Sequence, residues 1–233
     1  MKLSVLVPVY NEVKTLPNII DKIKAVDIEK EIILVDDFST DGTRELLVEK
    51  FEHSSGDVRV FYHEKNGGKG RAVRTALEHA SGEFCIIQDA DLEYDPNDFK
   101  RLVEYAEERS EAAVYGSRFL DGWKSTSFPH FIVNKSLTVL TNLLFGSNLT
   151  DMETCYKLVR TDIMKDLDLR ADRFELEPEI TSKLLKKGHS IPEIAISYQG
   201  RSYHEGKKIG WRDGIEAVWT LFKLKFISEN KNA

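Results

Sequence analysis

The chain has 233 residues, 41% hydrophobic and 31% charged, the balance of an ordinary water-soluble globular domain with enough length for a sizeable core. Its formal net charge of −6 argues against general nucleic-acid binding. Two cysteines, Cys85 and Cys155, make no disulfide framework, and the first stands in an apolar run, as expected for a reduced, cytoplasmic protein.

Lys2 to Pro8 is a β-rich start, too early and too short for a signal peptide, and no run is long and apolar enough to span a bilayer. Leu3 to Tyr10 is nearly continuous in apolar character, as in a central parallel strand. A helix follows with Leu16, Ile19, Ile20 and Ile23 at helical spacing. Glu31 to Val35 is a second strand and ends in Asp36-Asp37. Ser39-Thr40-Asp41-Gly42 offers turn and cap chemistry for a helix carrying Leu46, Leu47 and Phe51. Val58 to Tyr62 is a third strand, and Asn66-Gly67-Gly68-Lys69-Gly70 leads into a helix with Ala72, Val73, Ala76 and Leu77. Gly82 to Gln88 reads as a buried strand, followed by a helix from about Pro96 to Arg109. This alternation predicts βαβ units and a parallel sheet covered by helices on both faces, in which ligands sit beyond the carboxyl ends of the strands.

The strand at 82–88 ends in Asp89-Ala90-Asp91-Leu92-Glu93. Asp89 and Asp91 can point into one space with only Ala90 between them. Two such carboxylates repel unless a cation or a hydrogen-bond network holds them, and a hard divalent ion bridging diphosphate oxygens suits them. Tyr10, Glu12, Asp36, Asp37 and Lys69 also fall at or after strand ends, which points to one site. The Gly-Gly-Lys-Gly run is not a Walker loop, since no Ser or Thr follows the Lys.

After Ala112 to Arg118 the pattern changes. Ser125 to Thr150 holds no acid and one Lys, and Pro129 to Phe145 reads as an apolar helix interrupted by polar residues, suited to a homodimer contact or to a membrane surface. A helix opened by Arg173 to Glu179 runs through Leu185, and a strand is expected from Ser190 to Tyr198. Arg201 to Arg212 is a basic, glycine-containing loop, and the last helix carries Ile215, Val218, Trp219, Phe222 and Phe226 with Lys223 and Lys225 between. No internal domain boundary is evident.

Four strings together carry a resemblance: Val7-Pro8-Val9-Tyr10-Asn11-Glu12, Asp36 to Gly42, Asn66 to Gly70, and Asp89 to Glu93. They resemble the signature set of family-2 inverting glycosyltransferases of GT-A fold, a Rossmann-like, mostly parallel sheet in a single domain. Gly116-Ser117-Arg118, Thr150 to Lys157, Phe174 to Thr181 and Gly200 to Gly214 are similar to the dolichyl-phosphate mannosyltransferases and their bacterial polyprenyl-phosphate relatives.

The resemblance implies metal-dependent, inverting transfer of mannose or glucose from a nucleotide sugar (GDP-mannose or UDP-glucose) to dolichyl or undecaprenyl phosphate. It implies that Pro8, Tyr10 and Glu12 contact the donor nucleoside, with Asp37 near base or ribose and Lys69 near the nucleotide. Asp89 and Asp91 would hold Mg²⁺ or Mn²⁺, with Glu93 a further ligand, while Arg118 and Arg201 would face the acceptor phosphate or the diphosphate. Residues 1–118 would form the nucleotide-sugar half and 119–233 the acceptor-facing half. The expected location is peripheral, at the cytoplasmic face of a membrane.

Two departures stand out. Relatives with transmembrane helices at the C-terminus have no counterpart to them here before Ala233. Where relatives often place a basic residue for the acceptor phosphate, the stretch after Trp123 offers only His130 and Lys135.

A phosphate monoester is already anionic at neutral pH and attacks without a base, whereas a glycan or protein hydroxyl would need one, and Asp151, Glu153 or Glu177 are the candidates. Two other classes fit less well. A binding module without turnover would show a degraded Asp-x-Asp or lost arginines. A sugar-phosphate nucleotidyltransferase would open on a Gly-rich, Arg-containing loop instead of Pro8 to Glu12.

Overall fold

The computed structural model describes residues 2–52, 56–122, 128–200 and 211–227, with 128, 129, 211 and 212 as backbone alone. Four strands form the first half of one sheet: β1 (Leu3–Val9), β2 (Lys30–Asp36), β3 (Val58–Tyr62) and β4 (Phe84–Ile87). They are joined by α1 (Leu16–Ala25), α2 (Thr43–Leu47) with a π-helical turn after it at Val48–Glu52, and α3 (Lys69–Glu78). The second half adds α4 (Asp98–Arg109), β5 (Ala113–Ser117), α5 (Phe128–Phe145), β6 (Lys157–Arg160), α6 (Thr161–Asp166), α7 (Leu176–Lys186), β7 (Glu193–Ala195) and α8 (Trp211–Phe226).

The sheet order is β3-β2-β1-β4-β6-β5-β7. β1 lies in its interior, between β2 and β4, with Leu3, Val5, Leu6 and Val7 fully buried, which is why its sequence is apolar without alternation. The four strands β1 to β4 pair in parallel, so their carboxyl ends share one edge. β6 runs antiparallel to both β4 and β5. That reversal was not legible in the sequence, and it matters: with Lys157 opposite Tyr115, residues 151–156 lie at the same edge as the ends of β4 and β5.

The helices bury the stripes their spacing predicted. Leu16, Ile19, Ile20 and Ile23 of α1 are inaccessible to solvent, as are Ala72, Val73 and Ala76 of α3. A second, smaller core joins α5 to α8 through Leu137, Leu149, Met152, Ala217 and Leu221.

Two expectations need correction. The helix after Gly42 is one α-turn continuing into a π-turn, although Leu47 and Phe51 are buried as expected. The strand read from Ser190 to Tyr198 is confined to Glu193–Ala195. Pro192 has no N–H to donate, and the Ser197 N–H turns to the Asp98 carboxylate at 2.8 Å, leaving one bridge between Tyr198 and Tyr94.

The start of α3 is held by close backbone contact. A Cβ on Gly70 would meet the Ala171 carbonyl oxygen at 2.3 Å, and one on Gly68, which has φ +93°, would meet that of Asp172 at 2.4 Å. The Arg71 N–H donates to the same Asp172 carbonyl at 3.1 Å. We expect Gly70→Ala to destabilise the fold by about 2 kcal/mol or more, because backbone on both sides must move. Gly214→Ala, where a Cβ meets nothing within 4 Å, should be neutral or slightly stabilising. Urea unfolding of both variants checks the contrast.

Candidate active site

The shared strand edge opens into a cavity of about 930 Å³. Pro8, Tyr10, Glu12, Asp37, Lys69, Asp89, Asp91, Glu93 and Arg118 all line it. Arg201 lies outside the described residues. Ile132, Val133 and Leu137 of α5 and Ile215, Ala217 and Val218 of α8 line it as well, giving one space acidic and apolar walls.

Three strand-end loops contain a side-chain-bearing residue at positive φ: Asn11 (54°) after β1, Phe38 (66°) after β2 and Leu92 (66°) after β4. For Phe38 and Leu92 this is a costly backbone state, of the kind that persists where the surroundings over-determine a site. Side chains supply the surroundings. Asn11 Oδ1 accepts from the Thr40 N–H at 2.8 Å, and the Asn11 N–H donates to Ser39 Oγ at 2.9 Å.

The pair Asp36-Asp37 divides its labour. Asp36 is fully buried and receives Arg44 Nε at 2.8 Å. The Asp37 carboxylate accepts the Gly67 and Gly68 N–H groups at 2.8 and 2.7 Å and faces His63 Nδ1 at 2.7 Å. Asp37 thus fixes the glycine turn that starts α3, while its residue lines the cavity.

Lys69 opens α3 and lays its ammonium on Asp89, at 2.9 Å from Oδ1 and 3.0 Å from Oδ2. The same nitrogen is 3.2 Å from Glu177 Oε1. Burial opposes its charge, but Asp89 and Glu177 outweigh burial and raise its pKa well above the ordinary lysine value. Glu177 Oε2 is held from the other side by Lys157 Nζ at 2.8 Å. Lys157 is fully buried, donates also to the Met152 carbonyl at 2.8 Å and to that of Thr154, and lies over the Tyr115 ring. The signal for Lys157 was present in the sequence: a lone cation inside Cys155 to Val159, an apolar run, requires a buried partner.

Asp91 Oδ1 accepts the Glu93 N–H at 3.1 Å, and Glu93 Oε2 accepts the Tyr198 hydroxyl at 2.6 Å. Among the described residues no ready-made cluster of three or more acidic, His or Cys ligands exists. A divalent ion here would take Asp89 and Asp91 and draw its remaining oxygens from a ligand. The Lys69 ammonium on both oxygens of Asp89 shows that this carboxylate is placed to receive a cation.

Arg118 follows β5 and makes a two-pronged pair with Asp151, Nε to Oδ2 and Nη2 to Oδ1, each at 2.7 Å. Its ring-stacking neighbours are Tyr198 and Phe119. Burial works against the guanidinium, yet Asp151 raises its pKa well above normal. Asp151 is fully buried, so this pair is committed to holding the 117–119 turn as well as the cavity wall.

Glu153 is the least compensated acid. Its Oε1 is buried with no hydrogen-bond partner among the described residues. Burial is the main reason its carboxyl is pushed up from 4.5 to about 7; Lys157 pulls it down and Glu177 pushes it further up.

The folded state therefore keeps the Glu153 proton between about 4.5 and 7 while the unfolded chain releases it. Stability contributed at low pH is lost as pH rises through that window, on the order of 3 kcal/mol. Glu153→Gln should match the parent near pH 5 and exceed it in stability near pH 8, which thermal melts at the two pH values will show.

The glycosyl transferase family 2 model matches residues 4–168. The chain is 26% identical over 219 residues to the undecaprenyl-phosphate mannosyltransferase of Micrococcus luteus, covering 90% of this chain and 88% of that one. It is 27% identical over 216 residues to the dolichol-phosphate mannosyltransferase of Pyrococcus furiosus, covering 90% of this chain but 60% of that protein's length. Glucosyl-3-phosphoglycerate synthase from Mycobacterium tuberculosis, crystallised with Mn²⁺, UDP and glucosyl-3-phosphoglycerate, superposes with a TM-score of 0.73 at 18% identity, over 98% of this chain and 81% of that one. This last likeness speaks to the fold alone.

Proposed function

This chain belongs to glycosyl transferase family 2, and we propose that it transfers a hexose from a nucleotide diphosphate sugar to a polyprenyl phosphate, with inversion. The observation that carries the reading is the single cavity: strand-end carboxylates share it with the apolar faces of α5 and α8. A donor diphosphate suits the first wall and an isoprenoid chain the second. The names of the two mannosyltransferase relatives support a polyprenyl-phosphate acceptor and a hexose as the group transferred. GDP-mannose and UDP-glucose remain the two donors to test.

An oxygen of the acceptor phosphate attacks the anomeric carbon as the bond to the diphosphate breaks. That oxygen is anionic at neutral pH, so no proton has to be removed. A divalent ion held by Asp89 and Asp91 would neutralise charge developing on the leaving diphosphate. Arg118, fixed by Asp151, and Arg201 are assigned to anionic oxygens of the substrates. Residues 1–118 act as the donor half and 119–233 as the acceptor half.

The acceptor lives in a bilayer, and no helix among the described residues is long and apolar enough to cross one. α5 and α8 instead present apolar side chains to solvent: Leu143 is 78% exposed, Trp219 64% and Phe226 69%. Such a surface, flanked by Lys223 and Lys225, suits peripheral contact with an anionic membrane face. A self-contact between two copies is the other use of this face.

Turnover with short polyprenyl phosphates, a panel of nucleotide sugars and Mn²⁺ tests the assignment. Asp91→Asn should abolish transfer and leave the melting temperature near that of the parent. Arg201→Ala should lose some tens- to thousands-fold, the scale of about 2–5 kcal/mol for an arginine on a desolvated anion. Glu153→Gln and Glu177→Gln should lose less; a well-folded Glu→Gln variant losing more than Arg201→Ala would move the acceptor to a hydroxyl. In flotation with anionic vesicles, the parent should rise with the lipid. The triple variant Leu143→Ser, Trp219→Ser, Phe226→Ser should stay below, and a parent that never floats removes direct membrane contact.

A further inference from the structure

Lys69, Asp89, Glu177 and Lys157 form a closed set of two cations and two anions, all within 3.2 Å of a partner. The set is shielded, since the Lys69 side chain is 13% exposed and that of Glu177 6%. A divalent ion arriving alone at Asp89 would share one carboxylate with an ammonium in poorly hydrated surroundings, where like charges repel strongly. The backbone of Lys69 cannot retreat, because Gly68 and Gly70 on either side are packed against the carbonyls of Asp172 and Ala171. Only its four-carbon stem can move. Glu177 does not hold it back, for Lys157 continues to neutralise Glu177 after Lys69 has left.

We propose that the Lys69 ammonium is the resident counter-ion of Asp89, and that it yields this carboxylate to a divalent cation only when a nucleotide diphosphate arrives to accept the ammonium. Metal and donor then bind as one unit, and the empty site does not gather stray divalent ions. Lys69 in this scheme serves Asp89 in the empty site and the diphosphate in the loaded one. The inference rests on the reading of Asp89 and Asp91 as the metal site. It adds a direction of coupling: because linkage is reciprocal, diphosphate tightens the metal by the same factor as the metal tightens diphosphate.

The test is Mn²⁺ titration of the full chain followed by electron paramagnetic resonance, without nucleotide and with GDP, UDP or inorganic diphosphate. The parent should bind Mn²⁺ weakly alone and at least about tenfold more tightly with a diphosphate. Lys69→Gln, which keeps length and removes charge, should bind Mn²⁺ alone at least about tenfold more tightly than the parent and lose most of the coupling. Lys69→Arg should retain the parent's dependence on diphosphate. Equal Mn²⁺ affinity of parent and Lys69→Gln without nucleotide overturns the counter-ion role and leaves the metal site standing. Failure of the parent to bind Mn²⁺ under every condition overturns both. Should Lys69→Gln not fold, as judged by circular dichroism, the parent decides alone: Mn²⁺ binding that is equally tight with and without diphosphate overturns the proposal.

Discussion

Carboxylates gathered at one edge of a sheet repel each other, and the arrangement survives because each is given a specific partner. Parallel pairing of β1 to β4 places Asp36, Asp37 and Asp89 at a common edge. Arg44 takes Asp36, two glycine N–H groups and His63 take Asp37, and Lys69 takes Asp89. Arg44 follows Asp36 on the same connection, but the partners of Asp37 and Asp89 all come from the segment between β3 and the start of α3, so one connection neutralises the acids of its two neighbours. The cost of leaving any one buried charge unpaired would be several kcal/mol, a large fraction of the net stability of a domain this size.

The second half of the chain solves the same problem with fewer ions and deeper burial. Arg118 and Asp151 pair with both prongs, and Glu193 accepts the Thr150 and Asp151 N–H groups at 2.6 and 3.0 Å. The turn before β6 is therefore fixed from two directions. Glu153, in the middle of it, is left without comparable support, and its raised pKa is the electrostatic trace of that.

Much of this was legible beforehand because it is local. Apolar runs without alternation marked β1, β2 and β4, helical spacing marked α1 and α3, and acids directly after strands marked the edge where a ligand would sit. What escaped depends on pairing across the chain. Lys157 to Arg160 is too short to announce a strand, and its antiparallel insertion between β4 and β5 follows from the return of the chain after α5, which no local pattern records. The same reversal decides that Glu153 and Lys157 belong to the site at all. Asp37 and Lys69 line the cavity, and the structure adds how each is engaged within the protein, which spacing cannot reveal.

The reversal of β6 has a further consequence for how two unlike walls come to line one cavity. In a wholly parallel sheet the segment entering the strand would start from the opposite edge, and the site would be built from strand ends alone. Here the chain leaves β5, runs the length of α5 along the cavity, and re-enters through 151–156 at the carboxyl edge. One continuous stretch therefore contributes the apolar wall, the Arg118–Asp151 pair at its start and end, and the lysine that neutralises Glu177. α8 then closes on α5 through Leu137, Ala217 and Leu221, so the apolar wall is a packed layer with its own small core. A charged wall and an apolar wall are kept adjacent because different secondary structure builds each: strand ends and their loops on one side, two packed helices on the other.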